Sequence, residues 1–149
     1  MFSSILSSFE AGVPGLELYK NEYVFIATPS MALEAAANFW KNHGYTPLTW
    51  DQNMEGDTNL CARKHIDFIQ RILDGRESIS RPCAIISGGE TTVKITGNGI
   101  GGPNTQFMLQ SAILLNGAQN IYGMACDTDG IDGAGDNAGA FISPESFKK

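Results

Sequence analysis

The sequence predicts an α/β fold in which a parallel strand–helix–strand segment is followed by a unit with a mixed sheet. Apolar runs of strand length alternate with stretches of helical spacing, the pattern typical of α/β proteins. From residue 83 onward a continuously apolar strand is followed by a strand of alternating polarity, which indicates a sheet that is not purely parallel. The 149 residues are 42% hydrophobic and 17% charged, a composition typical of a folded globular chain.

The first half contains the elements of a βαβ unit after an unpatterned lead-in over residues 1–22. Residues 23–27, Tyr-Val-Phe-Ile-Ala, form a continuous apolar run that predicts a strand covered on both faces. Thr28-Pro29 offers a hydroxyl N-cap and a proline in the first helical position, and His43-Gly44 offers a stop. Residues 45–50 return to an extended pattern. We therefore expect residues 23–50 to form two parallel strands joined by a helix.

A second helix is predicted after Asp57, which can cap it, and Asp74-Gly75 would end it. The polar residues 76–82 are interpreted as a linker or a domain seam. The predicted apolar face of this helix consists of Cys61, His65, Phe68, Ile69, Ile72 and Leu73.

A hairpin is predicted next. Residues 83–87 read as a buried strand, Gly88-Gly89 permits a tight turn, and residues 91–96 alternate with period two. Four glycines then lie within residues 97–102, and Pro103 opens a third helix. The helix is expected to stop near Asn116-Gly117, and it would be followed by strands over residues 121–126 and 140–142 on either side of an acidic segment, residues 127–136.

Composition excludes several classes of function. Ten basic against sixteen acidic residues give a net charge of −6, which argues against nonspecific binding to nucleic acid or to a membrane surface. No apolar run approaches the ~20 residues that span a bilayer, and the first residues do not resemble a signal peptide. Three widely spaced cysteines favour reduced thiols, and we expect a cytoplasmic protein.

The glycine segment, residues 97–102, predicts an anion site. Glycines let backbone N–H groups approach a ligand, and the following helix N-terminus adds free donors and partial positive charge. A flexible connection is the alternative. The segment also satisfies G-x-G-x-x-G, with Asp127 at a strand end, which suggests a dinucleotide-dependent oxidoreductase. Against that hypothesis, the preceding strand alternates in polarity and the earlier βαβ unit lacks the motif.

The acidic segment carries four aspartates, Asp127, Asp129, Asp132 and Asp136, and such a density of carboxylates calls for a cation, a donor-rich ligand or solvent. An EF-hand is excluded because Ile131 and Asp132 occupy its positions five and six. Magnesium needs only one or two carboxylates. A solvated loop rich in Asx-turns is the alternative. An anion cradle beside such carboxylates indicates phosphoryl transfer.

A third motif, residues 87–91, reads Ser-Gly-Gly-Glu-Thr. Glu90 could accept hydrogen bonds from substrate hydroxyls or from the amides of the glycine segment. Ser87 has no evident base beside it and does not lie in a G-x-S-x-G elbow, so we do not expect a nucleophilic serine.

These motifs resemble the MOFRL domain of the glycerate 2-kinase family, many members of which are labelled hydroxypyruvate reductase. The resemblance rests on SGGET, on GNGIGGPN over residues 97–104 and on TDGIDG followed by AGA, in the family's order and spacing. It covers nearly everything from Cys83 onward. Residues 1–80 look like the end of the family's larger, Rossmann-like N-terminal α/β domain, and residues 81–149 like a C-terminally truncated MOFRL domain.

The resemblance implies transfer of phosphate from ATP, with Mg²⁺, to the 2-hydroxyl of D-glycerate or a similar hydroxy acid in a cleft between two domains. It gives Asp127, Asp129 and Asp132 as metal-binding residues and assigns no catalytic residue. The residues it implies for substrate or phosphate binding are Ser87, Gly88, Gly89, Glu90, Thr91, Gly97, Asn98, Gly99, Gly101, Gly102, Asn104, Thr128 and Gly130.

This chain also departs from the family pattern. Ile100 and Pro103 stand where the family loop often has arginines, and Thr105-Gln106 replace Gln-Glu. Members of the family are roughly four hundred residues long, so we expect a fragment, one piece of a split gene or a degenerate paralogue. The isolated chain is then expected to be inactive, and to form a homodimer or to receive the missing domain in trans. The alternatives are an NAD(P)-dependent hydroxypyruvate reductase and a noncatalytic ligand-binding module.

Overall fold

The computed structural model describes residues 24–146, which form three helices and four strands. The predicted lead-in over residues 1–22 lies outside this range. In chain order the elements are α1 (Pro29–Asn42), β1 (Thr46–Asp57), α2 (Thr58–Leu73), β2 (Cys83–Thr92), α3 (Pro103–Leu115), β3 (Gly123–Cys126) and β4 (Gly139–Ile142).

Two of the strands, β1 and β2, run parallel and are joined by α2. Their register runs from Thr46 opposite Cys83 to Asp57 opposite Thr92, so both strands end at the same edge of the sheet. The other two strands, β3 and β4, form an antiparallel pair with Gly123 opposite Ile142. The α/β class with both parallel and antiparallel pairing is confirmed, as two separate two-stranded sheets.

The strand predicted at residues 23–27 is wrong for its described part, residues 24–27, which are irregular. Phe25 is 81% and Ile26 89% exposed, so this apolar run is not covered on either face. An apolar run permits a strand, but a strand forms only where a neighbour can pair with it, and no described strand pairs with this one. The parallel unit is therefore β1–α2–β2 rather than residues 23–50.

The helix ends follow the local signals. Thr28 Oγ1 accepts a hydrogen bond from Met31 N at 3.3 Å at the start of α1. Asp57 Oδ1 accepts one from Leu60 N at 3.0 Å at the start of α2. The predicted stops of α1 and α2 are both confirmed, with Gly44 and Gly75 at positive φ.

The α2 helix supplies much of the core, because its buried apolar residues are Cys61, Ala62, Ile66, Phe68 and Ile72. The predicted apolar face lacks Ile66 and includes Leu73, although Leu73 is exposed. The half-buried His65 of α2 lies between the rings of Trp50 and Phe107.

The hairpin predicted over residues 83–96 is wrong. Residues 83–92 form one continuous strand, and the chain from Val93 to Gly102 is irregular. A Cβ atom on Gly89 would collide with the backbone of Met54, and Gly89 has φ +146°. The glycine therefore serves a close approach between β1 and β2, beside an irregularity in their register, and not a turn.

The third helix begins at Pro103, as predicted, and ends at Leu115, with Asn116 as its C-cap in the left-handed conformation (φ 46°, ψ 45°). The predicted strand over residues 121–126 is confirmed only over its last four residues, and the strand over 140–142 begins one residue earlier, at Gly139. Among the described residues, no helix has both the length and the apolar character needed to cross a membrane.

Candidate functional site

Asp132 joins the glycine segment to the acidic segment. Its carboxylate has no exposed surface and accepts hydrogen bonds from the first turn of α3: from Asn104 N at 2.9 Å, from Asn104 Nδ2 at 3.2 Å and from Thr105 N at 2.7 Å. The carboxylate therefore caps α3 from a position 28 residues away in the chain and satisfies N–H groups that have no partner within a helix.

Burial of Asp132 raises the pKa of its carboxyl, but the hydrogen bonds from Thr105 and Asn104 outweigh that effect, so the pKa lies below its usual value. Asp132 is thus an anion held inside the protein by backbone N–H groups.

Two glycines make this contact geometrically feasible. A Cβ atom on Gly102 would collide with the Asp132 carboxylate, and one on Gly133 would lie 2.5 Å from Gly101 O, with φ +67° at Gly133 as a second obstacle. Any side chain at either position would push the two segments apart. Residues 97–104 and 127–133 consequently form one unit, which we call the clamped loop pair.

The contact between Asp132 and α3 shows that one part of the predicted anion site, the helix N-terminus, is already occupied by the protein itself. Asn104 N, predicted to face a ligand, donates to Asp132, and Gly102 N donates to Thr105 Oγ1 at 2.9 Å. The protein's own carboxylate thus fills the helix N-terminus. Residues 97–101 remain exposed and belong to neither a helix nor a strand, so their N–H groups are the ones that a ligand can reach.

The acidic segment does not assemble the predicted three-aspartate metal site. Asp129 Oδ1 accepts a hydrogen bond from Ile131 N at 2.9 Å, an Asx-turn, while both oxygens of Asp132 are taken up by α3. Within residues 24–146 no three His, Cys, Asp or Glu side chains are grouped so that they could hold a metal ion. The described residues therefore offer Mg²⁺ no cage of three protein ligands. Thr128 and Gly130 lie in the same loop.

A polar cavity of about 280 Å³ opens where β1 and β2 end. Its walls come from the end of β1, the start of α2, the irregular chain after β2 and the first turn of α3, with Asp57, Thr58, Asn59, Thr92, Val93, Lys94, Thr96 and Gln106 as the lining residues. Ligands of open α/β sheets bind outside the carboxyl ends of the parallel strands, which is where this cavity lies.

The cavity wall is held by hydrogen bonds between elements that are distant in sequence. The buried hydroxyl of Thr58 donates to Thr92 O at 2.9 Å and lies 3.0 Å from Thr91 Oγ1. Gln106 Nε2 donates to Asn59 Oδ1 at 2.8 Å, which ties α3 to α2. The glycine segment begins at Gly97, directly after the lining residue Thr96. The cavity and the clamped loop pair are therefore adjacent in the sequence.

The Ser-Gly-Gly-Glu-Thr motif lies inside β2, and its residues have different surroundings. Gly88 packs against the side chain of Leu33 on α1, so closely that a Cβ atom on Gly88 would lie 3.2 Å from Leu33 Cδ2. Glu90 is exposed and lies opposite Glu55 in the register. Only Thr91 reaches the cavity wall, through Thr58.

Ser87 does have a base beside it, contrary to expectation: its Oγ lies 3.5 Å from His65 Nδ1. Burial lowers the pKa of His65 to about 4, although the charge of Asp51 works in the opposite direction. The imidazole is therefore neutral near pH 7, packed between aromatic rings. Helical spacing puts His65 on the apolar face of α2, but the sequence carries no signal that it meets Ser87.

Of the predicted site residues, the structure brings together the glycine segment, Asn104 and Asp132. The neighbours found for Ser87 to Glu90 lie instead on α1, β1 and α2. The sequence prediction misses the cavity residues Lys94, Asn59 and Gln106, and it includes Asp57 only as a helix cap. Nothing local marks these side chains as ligand-facing.

Known proteins resemble this chain in both sequence and fold. Residues 83–149 match the model of the MOFRL family. The chain is 41% identical over 127 residues to "D-glycerate 2-kinase" of Thermotoga maritima, covering 85% of this chain and 30% of that protein. It is 40% identical over 128 residues to a protein of Agrobacterium vitis named "Putative hydroxypyruvate reductase", with 85% of this chain and 29% of that protein covered.

The fold is also found in a solved structure. The crystal structure of glycerate kinase from Thermotoga maritima superposes with a TM-score of 0.83 and 27% identity, over 89% of this chain and 32% of that one. The chain therefore spans about a third or less of the length of these relatives. The resemblance carried by the three motifs is confirmed, because residues 83–149 of this chain match the MOFRL family.

Proposed function

We propose that this chain forms one side of the ligand-binding cleft of a glycerate 2-kinase, in which ATP phosphorylates the 2-hydroxyl of D-glycerate or a similar hydroxy acid. The observation that carries the proposal is the clamped loop pair: Asp132 fixes the end of the glycine segment, so that residues 97–101 present free backbone N–H groups beside a polar cavity.

The reaction fits such an arrangement because phosphoryl transfer depends mainly on positioning and on stabilising charge. The acceptor hydroxyl forms a bond to the γ-phosphorus and loses its proton, while the bond to the β,γ-bridging oxygen breaks and releases ADP. Backbone N–H groups of residues 97–101 would hold phosphate oxygens without charged side chains. Magnesium would arrive bound to the nucleotide phosphates, because the described acidic segment offers it no cage.

The remaining parts of such a cleft would come from polypeptide beyond this chain. The relatives are about three times as long, and we propose that residues 1–80 and 81–149 correspond to parts of the two domains that form the cleft. Large exposed apolar side chains support a covering partner, whether the missing domain in trans or a second copy: among them are Phe39, Met124 and Phe141. A cytoplasmic location likewise remains a prediction.

The second candidate, a hydroxypyruvate reductase, is favoured by the name of the Agrobacterium vitis relative. The structure does not support a dinucleotide fingerprint, because such a motif follows directly on a strand. Here β2 ends at Thr92, five residues before Gly97.

The test is a chimera in which residues 24–146 of this chain replace the matching third of the Thermotoga maritima D-glycerate 2-kinase. We expect ATP-dependent phosphorylation of D-glycerate by the chimera and no turnover by the isolated chain. Reduction of hydroxypyruvate with NADH in place of phosphorylation would establish the reductase. A folded chimera with neither activity would leave the noncatalytic ligand-binding module.

A further inference from the structure

Lys94 is the one basic residue between Arg81 and Lys148. The clamped loop pair contains no lysine or arginine, and Ile100 and Pro103 add no charge to the glycine segment. If an anion binds to residues 82–147 through a basic side chain, that side chain is therefore Lys94.

Lys94 lines the polar cavity at the carboxyl ends of β1 and β2. Among the described residues it has no ion-pair partner within 4 Å, since the two ion pairs found there are Arg71–Glu77 and Arg76–Asp74. Its ammonium group is thus available to an anion from outside the protein.

Apart from Lys94, the cavity is lined by an acidic residue and by several uncharged polar residues. The Asp57 carboxylate uses one oxygen to cap α2, through Leu60 N, and has a second oxygen as an acceptor. Thr92, Thr96 and Asn59 add polar side chains to the same lining, where the Thr92 hydroxyl donates to Gly56 O at 3.2 Å and Asn59 Oδ1 accepts from Gln106. A ligand that fits this lining carries a carboxylate at one end and hydroxyl donors at the other.

The size of the cavity limits the ligand further. At ~30 Å³ per water molecule, 280 Å³ corresponds to about nine waters. This is enough room for an acid of three or four carbons, and the volume is close to the lower end of the ~300–1,000 Å³ of small-molecule pockets.

We infer that this cavity is the subsite for the hydroxy acid and that Lys94 binds its carboxylate. Lys94 would then determine specificity for acids over neutral polyols in a chain whose glycine segment has no basic side chain. The identity of the acid rests on the proposed function, whereas the site itself rests on the cavity.

The experiment titrates the ¹⁵N-labelled 149-residue chain with D-glycerate and follows backbone amide shifts. We expect saturable shifts at Thr58, Asn59, Lys94 and Gln106. Glycerol, which has the hydroxyls but no carboxylate, should bind at least tenfold more weakly. Lys94→Met should weaken D-glycerate binding about tenfold, which is ~1.4 kcal/mol, and Lys94→Arg should restore most of it. Lys41→Met, on the exposed end of α1, is the matched control and should leave the affinity unchanged.

Equal affinities of the wild-type chain and a folded Lys94→Met variant would overturn the inference. So would equal affinity for glycerol, or shifts confined to residues 97–101. A failure of the proposed function would give a different set of results from a failure of the subsite. If D-glycerate binds through Lys94 but the chimera transfers no phosphate, the subsite stands and the kinase does not. If the chimera is active and Lys94→Met leaves its KM for D-glycerate unchanged, the kinase stands and the subsite does not.

Discussion

Replacing Asp132 with asparagine tests the clamp. The substitution keeps the shape of the side chain but turns one acceptor oxygen into an NH₂ group, which then faces an N–H of Asn104 or Thr105. In the wild type those two N–H groups donate to the carboxylate at 2.9 and 2.7 Å with no water-exposed surface on Asp132. A charge-assisted hydrogen bond contributes ~1.5–3 kcal/mol, and loss of the negative charge at a helix N-terminus removes a further ~0.3–1 kcal/mol. We therefore expect the free energy of unfolding to fall by about 2–4 kcal/mol.

The assay is urea unfolding followed by circular dichroism, together with hydrogen exchange of the Asn104 and Thr105 amides. Both amides should exchange faster in Asp132→Asn, while amides of the β1–β2 ladder should change only with global stability. Asp136→Asn is the matched control, because Asp136 is an exposed aspartate of the same segment, and its effect should stay within ~0.5 kcal/mol. Equal stabilities of the two variants would refute the clamp.

The pH dependence of the clamp follows from the sign of the pKa shift. Because the pKa of Asp132 is lowered in the folded state, its stabilising effect is present above the unfolded pKa and is lost as the pH falls through the folded pKa. The difference between Asp132→Asn and the wild type should therefore be the same at pH 7 and pH 5.5 and should shrink below about pH 3.8.

Three further predictions concern other parts of the fold. His65 has a folded pKa of about 4 against 6.5 for the free group, so its neutral form stabilises the fold above pH 6.5 and that stability is lost as the pH falls towards 4. Urea titrations should show about 2 kcal/mol lost through His65 between pH 7.5 and pH 5, and a folded His65→Phe variant with the same loss would contradict this. Gly102→Ala should cost about 2–4 kcal/mol, because its Cβ would collide with Asp132, whereas Gly99→Ala, with open space around it, should stay within ~0.5 kcal/mol in the same melts. Gly89→Ala should lower the unfolding free energy by at least ~2 kcal/mol, because Gly89 has φ +146° and a Cβ there would collide with the Met54 backbone. If the Gly89→Ala variant unfolds at the same urea concentration as the wild type, β1 and β2 do not approach closely there.

The parts of the fold that the sequence predicts correctly are those set by local chemistry. Thr28-Pro29, Asp57 and Asn116-Gly117 mark helix ends because capping depends on neighbouring backbone groups. Gly88-Gly89 is ambiguous by itself: two glycines allow a turn or a close approach, and only the position of Met54 decides between them.

The site shows the same division. The glycine segment and the acidic segment are recognisable from their composition, and the structure joins them. The partner of Asp132 is 28 residues away, however, so the sequence could not show that its carboxylate occupies the helix N-terminus expected to hold a ligand. Lys94 escapes prediction for a related reason, because the cavity forms only when the ends of two strands and two helices meet.

The central claim is that the clamped loop pair presents the backbone N–H groups of residues 97–101 to a phosphate group. Titrating the ¹⁵N-labelled chain with magnesium–ATP tests it most directly. We predict saturable amide shifts at Gly97, Gly99 and Gly101, with Asn104 and Thr105 still protected from hydrogen exchange by Asp132. Nucleotide binding that leaves the three glycine amides unshifted, or that displaces Asp132 and exposes the Asn104 and Thr105 amides, would contradict the account.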